Sequence, residues 1–104
     1  MTKVRISRDA AEELNEAVQW YEHESSGLGG KLLDAFEHAV GLMQGEMPPL
    51  LPVDGNARKL GAKRIILRRF PYSLIVIQRL GEYIVVALAH HSRKPGYWHE
   101  RIRT

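Results

Sequence analysis

The order of polar and apolar residues along the chain predicts one strand, two helices and three further strands. Residues 3–6 alternate in polarity, with Val4 and Ile6 apolar, as in a half-buried strand. Ser7 follows as a helix cap. The acidic residues just after it suit the positive end of a helix: Asp9, Glu12 and Glu13.

Two apolar stripes at helical spacing follow the predicted cap. The first consists of Ala10, Leu14, Ala17, Val18 and Tyr21. The second consists of Leu32, Ala35, Phe36, Ala39, Val40, Met43 and Met47. We expect Gly27 to end the first helix, residues 25–30 to connect the two as an antiparallel hairpin, and Pro48 to end the second. Both stripes are interpreted as core, with Phe36 buried where the second helix meets the sheet.

The remainder of the chain is rich in β-forming residues. Residues 47–56 have no regular pattern, whereas residues 63–70, Tyr72–Arg79 and 83–91 predict strands joined by short turns. The whole chain, 1–104, is therefore predicted to be one α+β domain. It has an N-terminal strand and an antiparallel helical hairpin packed on one face of a mainly antiparallel sheet with a three-strand C-terminal meander. The opposite face is expected to be free to carry basic side chains: Arg64, Arg68 and Arg79.

The charge of the chain is divided unevenly between its halves. Residues 1–56 contain four basic and ten acidic residues, a net charge of −6. Residues 57–104 contain eleven basic and two acidic residues, a net charge of +9, which favours an anionic partner. The chain has no cysteine, no signal-peptide pattern and no apolar run near the roughly 20 residues that span a bilayer, so we expect a cytoplasmic protein without a membrane partner.

Candidate chemistry is concentrated in residues 85–101, where an apolar strand runs into a loop broken by Pro95 and Gly96. Eight cationic, aromatic or imidazole side chains follow within a dozen residues: His90, His91, Arg93, Lys94, Tyr97, Trp98, His99 and Arg101. A strand that fixes the backbone and a loop that presents such side chains are typical of a functional site. The histidines lack a regular ligand spacing, so neither a metal nor another cofactor is expected.

The chain resembles the RelE/ParE superfamily of toxins from type II toxin–antitoxin modules, and its ParE-like, plasmid-stabilisation branch in particular. The segments that carry the resemblance are VRISRDAAEELNEAVQWYE, RRFPYSLIV and AHHSRKPGYWHER, in that order. The resemblance implies a small toxin that a partner antitoxin with an acidic segment neutralises. It also implies one of two targets, either DNA gyrase or mRNA in the ribosome.

An RNA-cleaving toxin would need groups that move protons and a group that stabilises a charged phosphorane. The catalytic candidates for that case are Arg93 as stabiliser, with Tyr97 and His91 as proton-transfer groups. The residues expected to bind an anion or a protein partner are Arg64, Arg68, Arg79, Arg93, Lys94 and Arg101. Structural alternatives compete with these roles. Trp98 is interpreted as a packing residue, the inward-facing member of the His90 and His91 pair as a hydrogen-bonded structural histidine, and Arg101 with Arg103 as a possible solvated tail.

Three functions therefore stay open. The favoured one is non-catalytic poisoning of DNA gyrase, because the spacing of Arg93 and Tyr97 differs from the RelE pattern and no lysine-rich strand is present. The alternative is a ribosome-dependent mRNA endoribonuclease of the same superfamily. The third is a small basic nucleic-acid-binding protein without toxicity.

Overall fold

A computed structural model describes residues 2–53 and 55–102, with residues 56 and 57 described by their backbone alone. It confirms the predicted α+β class. The elements along the chain are β1 (Val4–Ile6), α1 (Arg8–Glu24), α2 (Leu28–Met43), β2 (Leu51–Pro52), a 3₁₀ helix (Gly55–Leu60), β3 (Lys63–Ile66), β4 (Tyr72–Arg79), β5 (Glu82–His90) and α3 (His99–Ile102). In the described ranges, no helix is both long and apolar enough to cross a lipid bilayer.

The sheet has five strands in the order β1-β5-β4-β3-β2. The predicted meander of β3, β4 and β5 is confirmed, and only β1 lies parallel to its neighbour, β5. The sequence did not predict β2, which is two residues long: Leu51 pairs with Arg64, and Pro52 pairs with Lys63. A proline is tolerated there because β2 is an edge strand.

α1 begins where the sequence predicts, directly after the capping residue Ser7. The hydroxyl oxygen of Ser7 accepts a hydrogen bond from the amide of Ala10 at 3.1 Å and so satisfies a donor at the helix N-terminus. Ala10 and Ala17 are buried, and the other members of the predicted stripe pack around them as partly buried residues. The polarity pattern therefore predicted the phase of this helix correctly.

The connection between the helices is shorter than predicted, because α2 begins at Leu28. Gly27, which we expected to end α1, caps α2 instead, with φ of 89°. The carboxylate of Glu22 accepts hydrogen bonds from the amides of Gly27 and Gly29, at 2.8 and 3.0 Å. A side chain at Gly29 would place its Cβ 2.5 Å from the carbonyl oxygen of Val18, so a glycine there lets the helices approach closely.

The end of α2 corrects the predicted stripe. The helix ends at Met43, ahead of Gly45, which has poor helix propensity, and the prolines are not what stops it. Met47 consequently lies outside the helix and is 92% exposed, so its assignment to the core was wrong. Phe36 is 3% exposed within the core between the helices and the sheet, as predicted.

The opposite face of the sheet is not free, which contradicts the prediction. A second apolar cluster covers it, in which Trp98 and Ile102 from the C-terminal segment pack on Ile75, Ile77 and neighbouring strand residues. The chain turns back after β5 through a turn of residues 94–97, in which the Tyr97 amide donates to the Lys94 carbonyl at 3.3 Å and Gly96 has φ of 81°. The interpretation of Trp98 as a packing residue is confirmed, since it is buried.

Candidate functional site

The candidate site begins at an edge of the sheet where one strand ends before its neighbour does. β1 pairs with β5 only as far as Val85. Past that point β5 contains a bulge, because Val76 pairs with Val85 and Ile75 with Ala87, leaving Val86 as an extra residue. From Val86 to Leu88, the outer edge of β5 therefore contacts side chains instead of a neighbouring strand.

A single carboxylate from α1 organises those side chains. Glu13 Oε1 accepts a hydrogen bond from the amide of Leu88 at 3.1 Å, and its side chain is only 16% exposed. Arg101 Nη1 donates to Glu13 Oε1 at 2.8 Å and to the carbonyl of Val86 at 3.0 Å. The Tyr97 hydroxyl lies 2.6 Å from Glu13 Oε2 and 3.3 Å from the carbonyl of Leu88. β1 does not pair with β5 beyond Val85. These contacts therefore satisfy backbone groups of β5 that have no strand partner on this side.

Arg93 adds a second cation to this cluster. Its guanidinium lies 3.7 Å from the centroid of the Tyr97 ring, and its Nη1 is 3.6 Å from Glu13 Oε2. Arg101 also approaches Asp9 at 3.8 Å. Arg93 is 56% exposed and Arg101 is 22% exposed, so the first faces solvent and the second is largely enclosed. We call Glu13, Arg93, Tyr97 and Arg101 the Glu13 cluster.

The pKa values of the cluster follow from these contacts. Burial alone would raise the pKa of Glu13, but hydrogen bonds from Arg101, Tyr97 and the Leu88 amide outweigh it, so the pKa lies below its ordinary value of 4.5. Burial and the hydrogen bond to Glu13 raise the pKa of Tyr97. Burial opposes the charge of Arg101, yet its hydrogen bonds to Glu13 raise the pKa overall. Near neutral pH the cluster therefore contains a carboxylate, a neutral phenol and two guanidinium cations.

The two adjacent histidines lie at the end of β5 and just after it, and they contact different neighbours. His91 Nε2 is 2.9 Å from the hydroxyl oxygen of Ser73, which is buried. His90 packs edge-on against Tyr72, with ring centroids 5.0 Å apart, and its Nδ1 accepts a hydrogen bond from the amide of Ser92 at 3.0 Å. Both imidazoles thus have a local hydrogen-bond partner.

A cleft of about 200 Å³ opens between the C-terminal loop and the second face of the sheet. We call it the C-terminal cleft. Its cationic and imidazole lining consists of Arg64, His90, His91, Arg93 and Lys94. In the described part of the chain no carboxylate lines this cleft, so its lining favours an anion.

The predicted anion-binding residues do not form one surface. Arg64, Arg93 and Lys94 line the C-terminal cleft, whereas Arg101 is held by Glu13. Arg79 donates a hydrogen bond to the carbonyl of Ile102 at 2.7 Å. Arg68 lies in a separate groove between α2 and the turn that joins β3 to β4. We call this groove the hairpin groove.

Arg101 is consequently not part of a solvated tail, and that interpretation was wrong for it. Arg103, which the same interpretation placed in that tail, lies outside the described residues. Among the residues that the structure describes, no group of three or more metal-ligating side chains comes together.

Sequence reasoning missed Glu13 as a member of the site. It was interpreted only as an acid that suits the start of α1. The available signal is its spacing, because Glu13 follows Ala10 by three positions and precedes Ala17 by four, which places it on the buried face of the helix. A carboxylate on such a face is seldom left without a partner, so its position indicates a hidden cation.

No protein-family model matches the chain, and a comparison with curated proteins gave no match. Among solved structures, a chain described as "Chromosomal ParDE TA system from P. aeruginosa" has a TM-score of 0.68 and 17% sequence identity, covering 86% of this chain and 96% of that one. At this identity the similarity concerns the fold. The chain therefore shares the fold of a chain from a ParDE toxin–antitoxin (TA) system.

Proposed function

We propose that this protein is the toxin of a type II toxin–antitoxin module, that it acts in the cytoplasm, and that it inhibits DNA gyrase by binding without catalysis. Three observations support the toxin assignment: the sequence resemblance to ParE-like toxins, the fold shared with a ParDE chain, and a basic C-terminal half suited to an acidic antitoxin. Electrostatic complementarity of that kind chiefly accelerates association.

The observation that favours a non-catalytic mechanism is the state of the Glu13 cluster. An endoribonuclease that used Tyr97 would require its hydroxyl to exchange a proton, yet that hydroxyl is bound by Glu13 and the pKa of Tyr97 is raised away from neutral pH. Arg101 is neutralised by the same carboxylate. Tyr97, which the sequence offered as a proton-transfer group, and Arg101, which it offered for binding an anion or a partner, thus attach the C-terminal segment to α1.

The C-terminal cleft supports the second candidate, an mRNA endoribonuclease. There His91 would act as a proton-transfer group and Arg93 with Arg64 would contact phosphate oxygens, because these side chains line one cleft without a carboxylate. The buried hydroxyl of Ser73 would orient the imidazole through its 2.9 Å contact. Tyr97 has no part in this version of the site.

The deciding experiment induces the wild-type chain and Arg93→Ala in separate cultures without antitoxin, and maps mRNA 5′ ends beside gyrase-dependent supercoiling. Our proposal predicts arrested growth with blocked supercoiling and intact mRNA in the wild type. If Arg93 stabilises a phosphorane, the wild type should cut mRNA, and the substitution should slow cutting about a hundredfold or more, which corresponds to roughly 2.7–4 kcal/mol.

Arg5→Ala is the matched control, because Arg5 is also an exposed arginine beside a carboxylate, Glu82, but lies on the edge strand β1 away from the C-terminal cleft. Ribosome-dependent cuts that appear with the wild type and Arg5→Ala but disappear with Arg93→Ala would replace our proposal with the endoribonuclease. Normal growth with all three chains would favour the non-toxic nucleic-acid-binding protein.

A further inference from the structure

The turn between β4 and β5 forms the tip of the longest hairpin of the sheet, and a leucine lies at that tip. β4 and β5 have eight and nine residues, and Arg79 pairs with Glu82, so only Leu80 and Gly81 connect the strands. Leu80 is fully exposed, whereas the other exposed leucines of the described residues have more than half of their surface covered. The tip lies at the opposite end of β5 from His90, which lines the C-terminal cleft.

The backbone of this turn would suit another residue better than leucine. Both connecting residues have positive φ, 53° at Leu80 and 78° at Gly81, as a type I′ turn requires. Asparagine followed by glycine is the usual sequence of such a turn, because asparagine tolerates the left-handed region that leucine rarely adopts. The leucine is therefore explained neither by the turn nor by packing in the core. Such a residue is consistent with a contact to another molecule.

The hairpin holds the leucine in a defined position. β4 and β5 pair along their whole length as far as the turn, and Tyr83, just after the turn, also pairs with Val4 of β1. A partner that receives Leu80 does not have to order the segment that carries it, which lowers the entropic cost of binding. Burial of the leucine side chain would then contribute directly to affinity.

Cations outnumber carboxylates around this leucine. Lys3 and Arg5 share Glu82, at 3.8 and 3.3 Å, so one carboxylate serves two exposed cations. Arg79 donates to the carbonyl of Ile102 and has no carboxylate within ion-pair distance among the residues that the structure describes. Three cations and one carboxylate give these residues a net charge of +2. A partner surface with carboxylates around an apolar pocket would therefore be complementary to the tip.

These features distinguish among classes of partner. A leucine offers no hydrogen bond to a nucleic acid, and a single leucine buries too little surface to hold a protein on a membrane. A second copy of the chain would bring like cations together across a two-fold axis. We propose that Leu80 is the anchor by which this chain binds its protein target, in an apolar pocket of the target with carboxylates at its border. Identification of that target as DNA gyrase rests on the proposed function.

Leu80→Asn tests the anchor while preserving the fold, because asparagine suits a positive φ. Its urea denaturation midpoint should equal or exceed that of the wild type. Half-inhibition of supercoiling by purified DNA gyrase should require at least about tenfold more of this variant than of the wild type, since burial of the leucine is lost. Leu80→Met retains an apolar side chain and should stay within a few-fold of the wild type.

Leu42→Gln is the matched control, because Leu42 is a surface leucine of α2, 39% exposed, and glutamine retains helix propensity. It should inhibit gyrase as the wild type does. Photo-crosslinking tests the chemistry of the pocket: p-benzoylphenylalanine replaces Leu80 in one protein and Leu42 in another, and each is irradiated with the DNA-bound gyrase holoenzyme. We expect a crosslink from position 80 alone, to a gyrase peptide that combines apolar and acidic residues.

Several results would overturn the inference: inhibition by Leu80→Asn as strong as that of the wild type, equal loss with Leu80→Met or with Leu42→Gln, a lowered urea midpoint for Leu80→Asn, or a crosslink to DNA or to a basic surface.

Failure of the gyrase function alone gives a different pattern, in which the wild type arrests growth without inhibiting supercoiling. If growth arrest is then lost with Leu80→Asn and retained with Leu80→Met, the anchor stands and only the identity of the protein target changes. Growth arrest by every variant, or by none of the chains including the wild type, would contradict the anchor itself.

Discussion

The Glu13 cluster and the hairpin groove both contain arginines from the basic half of the chain, yet the two regions differ in what those arginines contact. Arg93 and Arg101 share the Glu13 carboxylate, and Arg101 is mostly enclosed. Arg68 and Arg69 are exposed and have no carboxylate within ion-pair distance among the described residues. The formal charge of a segment thus overstates the charge that it offers to a partner, because some cations are neutralised within the fold.

This difference separates structural from interaction roles. In the Glu13 cluster, Glu13, Tyr97 and Arg101 bond the edge of β5 that β1 does not reach, and Tyr97 and Arg101 attach the C-terminal segment to α1. In the hairpin groove, the arginines make no ion pair with any residue that the structure describes. Substitutions in the first region should therefore reduce stability, whereas substitutions in the second should reduce binding.

The largest expected effect is that of Glu13→Ala on stability. The change leaves Arg101 with only its longer 3.8 Å contact to Asp9 and the Leu88 amide without its acceptor, and the loss of one partner from a buried pair costs about 3–5 kcal/mol. Arg68→Ala, the control in the hairpin groove, should stay within about 0.5 kcal/mol of the wild type. Urea denaturation measures both, and equal midpoints for the two variants would remove the distinction between the regions.

A smaller effect is expected for Tyr97→Phe. The ring that contacts Arg93 is retained, but the hydrogen bond to a carboxylate is lost, at a cost of about 1.5–3 kcal/mol. Tyr83→Phe is a matched control, because Tyr83 is a partly buried tyrosine that packs against the main core. If both variants unfold at the same urea concentration, then the Tyr97 hydroxyl makes no structural contribution and is available for chemistry.

The Glu13 cluster should also make the stability of the fold depend on pH, with a smaller effect than the two substitutions above. Because the pKa of Glu13 is lowered in the folded protein, its contribution is complete above the ordinary value of 4.5 and is lost as the pH falls through the lowered pKa. The raised pKa of Tyr97 acts in the opposite range, so its contribution is complete below 10.0 and is lost at higher pH. Denaturation midpoints in acid should decline less steeply for Glu13→Gln than for the wild type, and parallel curves would contradict this assignment.

Much of the fold could be predicted from local patterns in the sequence. The spacing of Ala10, Ala17 and Phe36 gave the buried faces of both helices, and the three C-terminal strands followed from their composition. The errors occurred where local pattern is weak. The strand β2 has only two residues, and α2 ends ahead of Gly45 although the apolar spacing continues to Met47.

The Glu13 cluster could not be predicted, because its contacts join residues that are far apart in the sequence. Tyr97 and Arg101 lie 84 and 88 positions from Glu13. Their meeting depends on the early end of β1, on the bulge at Val86 and on the turn that folds the C-terminal segment back over the sheet. Composition identified the basic residues, but only the tertiary structure determines which of them Glu13 neutralises.

The smallest expected effect concerns the rate at which an acidic partner associates. The cations of the hairpin groove are exposed, so added salt should slow the association of an acidic peptide with the groove. The reason is screening, because the Debye length falls to about 8–10 Å near physiological ionic strength. Arg68→Glu should reduce this salt dependence, whereas Glu82→Gln, a charge change on the distant strand β5, should preserve it. Stopped-flow rates that do not vary with salt would exclude an electrostatic role for the groove.

The most direct test of the account is the titration of the Glu13 side-chain carboxyl by ¹³C NMR in the folded protein. If Glu13 accepts hydrogen bonds from Arg101, Tyr97 and the Leu88 amide, its titration midpoint must lie below the ordinary value of 4.5. A midpoint at or above 4.5 would contradict the account, because the arginines and Tyr97 would then not be held by this carboxylate and would be available for chemistry.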